Sequence, residues 1–114
     1  MTIKDKIRRR NRLTVEIDGE AVTVRALSAR EWVAFSDAVT RRPDGRNDGA
    51  DFLVRLVVAT ARQADGTPAF EEADIAWLTD EADMGPLRRL FDAACELNGI
   101  GLAARERNGD AVKN

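Results

Sequence analysis

A chain of 114 residues with a net charge of −2 has room for one small domain with a modest core. Apolar residues make up 44% and charged residues 33%, and no apolar run approaches the roughly 18 residues of a membrane-spanning helix. The sequence has no histidine, which excludes a Ser-His-Asp triad and histidine-ligated metals, and Cys95 has no second cysteine to pair with. We therefore expect a cytoplasmic protein that is not an enzyme and has no catalytic residues, no cofactor and no metal site.

Positive charge is concentrated at the N-terminus. Residues 1–12 carry a net charge of +5, so the rest of the chain carries −7. Among the basic residues of this leader, the candidates for nucleic-acid contact are Arg8, Arg9, Arg10 and Arg12. No aromatic residues are interleaved for base stacking, and we favour the alternative, a flexible leader that solubilises the chain.

The first structured element is a predicted β-hairpin over about residues 13–26. Apolar and polar residues alternate on both sides of Asp18-Gly19, a pair typical of two-residue hairpin turns. The predicted register pairs Ile17 with Glu20, Val15 with Val22, Leu13 with Val24 and Thr14 with Thr23. This register places the apolar residues on one face, which must pack on helices because a lone hairpin is marginal in water.

Four helices are predicted after the hairpin. Their ranges are residues 28–40, 50–64, 71–78 and 86–97. Ser28 and Glu31 form a capping box at the start of the first, and Asn98-Gly99 ends the last. We expect Trp32 and Trp77 to anchor the core.

The fold class is α+β, with the hairpin packed on a small bundle of about four helices in one domain (13–102), followed by a polar tail (103–114).

Apolar residues continue past the end of the last helix and need a surface to cover them. We predict that Leu97, Ile100 and Leu102 contact a binding partner. The alternative is that Ile100 and Leu102 fold back onto the core of the domain itself.

Three local motifs, in this order along the chain, resemble the tail assembly chaperones of long-tailed bacteriophages. The motifs are Leu27-Ser28-Ala29-Arg30-Glu31-Trp32, Asp65-Gly66-Thr67-Pro68-Ala69-Phe70-Glu71-Glu72-Ala73-Asp74 and Leu90-Phe91-Asp92-Ala93-Ala94-Cys95-Glu96-Leu97-Asn98-Gly99-Ile100-Gly101. The resemblance covers most of residues 13–102, and it offers no catalytic residues.

The resemblance implies a protein that binds the long tape measure protein and keeps it soluble while tail tube subunits assemble around it. Such chaperones act in the bacterial host cytoplasm, are encoded by a phage or prophage and are absent from the mature virion. The implied partners are the tape measure protein, the tail tube protein and further copies of the same chain. Many of these chaperones are also made in a longer, frameshifted form, which is another implied partner.

The last two residues bear on that longer form. The chain has 15 arginines and 3 lysines, a ratio that indicates GC-rich codons, whereas Lys113-Asn114 requires A-rich codons. An A-AAA-AAY run encodes this pair and allows a ribosome to slip by −1; the alternative is chance codon use.

Two other functions also stay open, a nucleic-acid-binding regulator that uses the basic arm and a minor structural tail or connector protein.

Overall fold

The structure is a computed structural model that describes residues 2–8, 12–40 and 49–100. The elements, in chain order, are α1 (Ile3–Arg8), β1 (Arg12–Ile17), β2 (Glu20–Arg25), α2 (Ala29–Thr40), α3 (Gly49–Thr60), β3 (Ala61–Arg62), a short 3-10 helix (Glu72–Asp74), α4 (Ile75–Asp80) and α5 (Met84–Asn98). This arrangement confirms the predicted α+β class. Within the described ranges, none of the helices has the length and apolar character needed to cross a membrane.

The N-terminal hairpin has the predicted turn and the predicted register. Asp18 and Gly19 both have positive φ angles, 50° and 83°, as a type I′ turn requires. The two strands are antiparallel, and Val15 lies opposite Val22 while Thr14 lies opposite Thr23. Because directly opposed residues point to the same face, the valines face the helices.

A third strand extends the sheet, and this corrects the predicted boundary of the second long helix. The helix was expected to run to residue 64, but α3 ends at Thr60 and the next two residues form β3. Ala61 pairs with Val24 and Arg62 pairs with Thr23, so β3 lies beside β2. The backbone groups on the free edge of β2 find partners in β3, which explains why the chain leaves the helix although its apolar pattern continues.

The Asp-Gly segment after β3 makes a turn rather than ending a helix. Gly66 has a φ of 90° and its N–H donates to the carbonyl of Gln63 at 2.9 Å. Oδ1 of Asp65 accepts hydrogen bonds from the N–H and the hydroxyl of Thr67. The chain then runs back beside β3, where the N–H of Ala69 donates to the carbonyl of Ala61 at 3.1 Å.

The capping box at the start of α2 is confirmed. The hydroxyl of Ser28 accepts from the N–H of Glu31 at 3.2 Å, and the Glu31 carboxylate accepts from the N–H of Ser28 at 2.9 Å. Two backbone donors at the helix start are thereby satisfied. Glu31 also forms an ion pair with Arg25, so the end of β2 is fixed to the first turn of α2.

The predicted short helix over residues 71–78 is divided in two, the 3-10 turn and α4. Glu71 and Asp74 form a reciprocal capping box at its start. The last helix, α5, begins two residues before Pro86 and ends where expected, because Gly99 adopts the left-handed conformation with φ 67°.

The core lies where α3 and α5 pack against each other and where α5 covers both strands of the hairpin. Its fully buried apolar side chains come from β2, α3, β3 and α5: Val24, Val54, Leu56, Val57, Ala61 and Ala94. Neither tryptophan belongs to this set. The expectation that Trp32 and Trp77 anchor the core is wrong, since 38% and 42% of their surfaces are exposed.

Candidate functional site

An apolar groove opens between α2 and α3. On α2 it is lined at four positions with helical spacing, Glu31, Ala34, Phe35 and Ala38. Phe35 is buried and forms the floor, whereas the two alanines are exposed one helical turn apart. Because alanine side chains end at Cβ, this face of α2 leaves open space instead of filling it.

The opposite wall of the groove comes from α3 and the start of α4. The full set of lining residues is Leu27, Glu31, Ala34, Phe35, Ala38, Arg55, Val58, Ala59, Glu72 and Ile75, and the groove has a volume of about 300 Å³. Most of these residues are apolar, with charged side chains at the rim. We call this feature the α2–α3 groove.

A salt bridge fixes one side of the groove. Nε of Arg55 donates to both carboxylate oxygens of Asp51, at 3.0 and 3.1 Å, one helical turn apart on α3. Asp51 is buried, so the pair holds the guanidinium against the helix rather than across the opening. The groove therefore stays accessible beside this ion pair.

An acidic depression adjoins the groove and shares Arg55, Glu72 and Ile75 with it. It has a volume of about 390 Å³, and its carboxylates belong to Asp51, Glu72 and Asp80. The surrounding stretch, residues 63–87, contains seven acidic residues and no lysine or arginine. The apolar groove is therefore continuous with a negatively charged surface.

A row of aromatic side chains connects α2 to the other end of the core. The ring centroids of Trp32 and Phe35 are 5.5 Å apart, those of Phe35 and Phe52 are 5.4 Å apart, and those of Phe52 and Phe91 are 6.2 Å apart. Trp32 is the exposed end of this row. Phe35, the floor of the groove, is thus fixed by an aromatic neighbour on each side.

The predicted partner contacts at the end of α5 lie mostly against the domain. Leu97 and Ile100 are half-buried and pack against the core. The N–H of Ile100 donates to the carbonyl of Cys95 at 2.8 Å, the bond that characterises a Schellman motif, in which an apolar residue commonly follows the glycine. Leu102 lies outside the described residues. A partner contact at these three residues stays a prediction.

Of the basic residues proposed to contact nucleic acid, two can be placed. Arg8 is the last residue of α1, a helix that the sequence pattern did not predict, and Arg12 is the first residue of β1. Arg12 is exposed and lies directly opposite Arg25 on β2. Arg9 and Arg10 lie outside the described residues, as do Lys113-Asn114.

The one cysteine of the sequence lies in the core. Cys95 is buried, and this burial, followed by the charge of Asp92, raises the pKa of its thiol. Among the described residues, no group of three or more histidine, cysteine, aspartate or glutamate side chains is arranged to hold a metal ion.

Sequence patterns did not reveal the groove. It depends on how α2, α3 and α4 meet, which periodicity within one helix does not determine. One local signal was present: Ala34 and Ala38 are small residues beside the apolar stripe that contains Phe35. Small residues at one-turn spacing indicate space on a helix face, but only the fold shows whether a neighbour fills it.

The fold is that of a solved viral assembly protein. It resembles the structure of the bacteriophage HK97 tail assembly chaperone with a TM-score of 0.57 and 20% sequence identity, over 77% of this chain and 85% of that one. The resemblance drawn from the three sequence motifs is thus confirmed at the level of the fold. No family model matches the sequence, and no curated protein matches it.

Proposed function

We propose that this chain is a tail assembly chaperone of a long-tailed bacteriophage or prophage. In this role it binds the tape measure protein in the host cytoplasm, keeps it soluble while the tail tube assembles and is absent from the mature virion. The observation that carries the proposal is the fold shared with a tail assembly chaperone over 77% of the chain. Tail tube subunits, further copies of the chain and a frameshift-extended form are proposed as additional partners.

The α2–α3 groove is the surface that best suits this task. A chaperone for a long, helix-rich protein must cover apolar side chains that would otherwise aggregate, and a groove between two helices accepts the apolar face of a third. Leu97 and Ile100 already pack against the core, whereas Ala34 and Ala38 are exposed. We therefore place the principal contact with the tape measure protein in the groove.

The size and lining of the groove favour a contact that can be reversed. Burial of one leucine or phenylalanine side chain contributes about 1.5–3 kcal/mol, and a groove of this volume accommodates few such side chains. Each site on the partner would then bind weakly, and several copies of the chaperone would be needed along a long protein. Weak contacts also allow tube subunits to displace the chaperone.

Co-expression with the tape measure protein tests the proposal. The wild-type chain should raise the soluble fraction of that protein, and Ala38→Glu should abolish the effect because it places a long charged side chain in the groove. Val33→Glu is the matched control, since Val33 is exposed on the same helix and does not line the groove. Circular dichroism of both variants establishes that they fold.

Two outcomes would count against the chaperone function, and one would count against the groove alone. If the wild-type chain leaves the tape measure protein insoluble, the chaperone function is wrong. If both variants remain fully active, the function stands and the groove is the wrong surface. Mass spectrometry of purified virions separates this role from that of a structural tail or connector protein, because a chaperone should be absent from them.

A further inference from the structure

Three arginines share the outer face of the sheet. Arg12 of β1 lies directly opposite Arg25 of β2, and Arg62 of β3 lies opposite Thr23, two residues before Arg25. Opposed residues of antiparallel strands point to the same face, and so do residues two apart along one strand. All three arginines therefore lie on the sheet face that points away from the core. Val24, which lies between Thr23 and Arg25 on β2, points to the opposite face and is buried in the core.

These arginines line one cleft with a volume of about 220 Å³. The cleft is bounded by Arg12, Thr23, Arg25, Arg62, Gln63, Ala64 and Gly66. The lining includes three guanidinium groups, one hydroxyl and one carboxamide; the guanidinium of Arg25 also pairs with Glu31, and Nη1 of Arg62 donates to the carbonyl of Ala61 at 2.9 Å. None of these seven described residues carries a carboxylate, although the chain as a whole has more acidic than basic residues.

The arrangement places two positive charges opposite each other, and only one of them is offset by a carboxylate of the described residues, that of Glu31 on Arg25. Like charges directly opposite each other on neighbouring strands destabilise a sheet, and Arg12 and Arg25 are such a pair. Arg25 is held in place by its ion pair with Glu31, while its buried Nε has no hydrogen-bond partner among the described residues. Its guanidinium is thus oriented but not fully hydrogen-bonded. A bound anion would reduce the repulsion that remains between Arg12 and Arg25 beside the Glu31 carboxylate.

We infer that this arginine cleft binds carboxylate groups of an acidic segment in a partner protein. Guanidinium groups match carboxylates with two parallel hydrogen bonds, and three arginines line this cleft. This site lies on the sheet and is distinct from the α2–α3 groove, so the inference goes beyond the proposed chaperone contact.

The surroundings of the cleft favour a short acidic segment over nucleic acid. Nucleic-acid binding needs basic residues along several successive phosphates and, for single strands, aromatic residues on which bases stack. Glu16 lies on the same sheet face towards the hairpin turn, and Asp65 lies in the turn beside Gly66. No aromatic residue is among those that line the cleft. Acidic residues on two sides of the cleft limit the ligand to a short anionic segment.

Fluorescence anisotropy of the full chain with a labelled hexaglutamate peptide tests the inference. We expect salt-sensitive binding that the double variant Arg12→Gln/Arg62→Gln weakens by roughly tenfold or more, since two charged hydrogen-bonding groups are lost. Arg25 is left unchanged because it also fixes Glu31. The matched control is Arg30→Gln/Arg89→Gln, which removes two exposed arginines outside the cleft, on α2 and α5, and should change the affinity less than about twofold.

A hexaglutamine peptide and a single-stranded DNA oligonucleotide complete the test. The inference is supported if the glutamate peptide binds, the glutamine peptide does not and the oligonucleotide binds more weakly. It is overturned if the glutamate peptide fails to bind at low salt, or if the double variant binds it as tightly as wild type. Tighter, cleft-dependent binding of the oligonucleotide would also overturn it and assign the site to nucleic acid. Circular dichroism checks that the double variant folds.

Discussion

The backbone N–H of Leu27 donates a hydrogen bond of 2.8 Å to Oδ1 of Asn98, 71 residues further along the chain. The side-chain nitrogen of the same asparagine donates to the carbonyl of Ala94 at 2.9 Å. The Asn98 side chain therefore connects the segment that follows β2 to the last turn of α5. Leu27 and Asn98 belong to the first and third of the motifs that resemble tail assembly chaperones. This hydrogen bond therefore connects the two motifs in the fold.

Replacement of Asn98 by alanine should destabilise the domain by about 1–3 kcal/mol, because it leaves the half-buried N–H of Leu27 without its acceptor. Chemical denaturation measures the change. Asn98→Asp is the informative comparison, since it keeps an oxygen for Leu27 but sets a charged oxygen against the carbonyl of Ala94 at the negative end of the helix, so it should also destabilise the domain. Equal stability of wild type and Asn98→Ala would contradict the assigned role.

Gly99 is expected to be required for its backbone conformation alone. Its φ is +67°, and a Cβ placed there would meet no atom within 4 Å, so alanine would cause strain without a clash. Gly99→Ala should therefore cost about 1–2 kcal/mol of unfolding free energy. Gly85 provides the comparison, because it also has open space but lies within α5 without a positive φ. Gly85→Ala should be neutral or stabilising by up to roughly 1 kcal/mol. A similar change in both variants would refute the strain argument.

The elements that sequence predicts correctly are those specified by neighbouring residues. Asp18-Gly19 determines the hairpin turn and hence the register of both strands, and Ser28 with Glu31 determines the start of α2. Gly99 determines the end of α5 in the same way. In each case a side chain or a backbone preference acts within four residues, so the pattern can be recognised without the rest of the fold.

The features that sequence missed depend on distant parts of the chain. Ala61 continues the apolar stripe of α3 and has no strand signal of its own, yet it pairs with Val24 because β2 has a free edge there. The sequence places Trp32 on the same apolar stripe of α2 as Phe35 and Val39, but the neighbouring helices cover it only in part. The α2–α3 groove and the arginine cleft likewise arise only when separate elements meet.

Cys95 should react slowly with thiol reagents in the native protein. Burial and the charge of Asp92 raise the pKa of its thiol, which lowers the thiolate fraction, and the side chain is 8% exposed. We expect the reaction with Ellman's reagent at mildly alkaline pH to be at least about tenfold slower than in denaturant. The raised pKa also means that this group favours the folded state at neutral pH, and that its contribution declines as pH rises through the folded pKa. Equal rates with and without denaturant would show that the thiol is accessible.

Asp74 should titrate below its ordinary pKa of 3.8, because its carboxylate accepts a hydrogen bond from the N–H of Glu71 and a second from Nε1 of Trp77. A carboxyl group whose pKa is lower in the folded state stabilises that state above pH 3.8, and the contribution is lost as pH falls through the folded pKa. Titration followed by NMR of the Asp74 carboxyl carbon measures the shift, and the indole N–H resonance of Trp77 should change over the same pH range. Trp77→Phe removes only the second hydrogen bond, so the pKa of Asp74 should rise part of the way towards 3.8. A pKa at or above 3.8 in the wild-type protein would refute this capping arrangement.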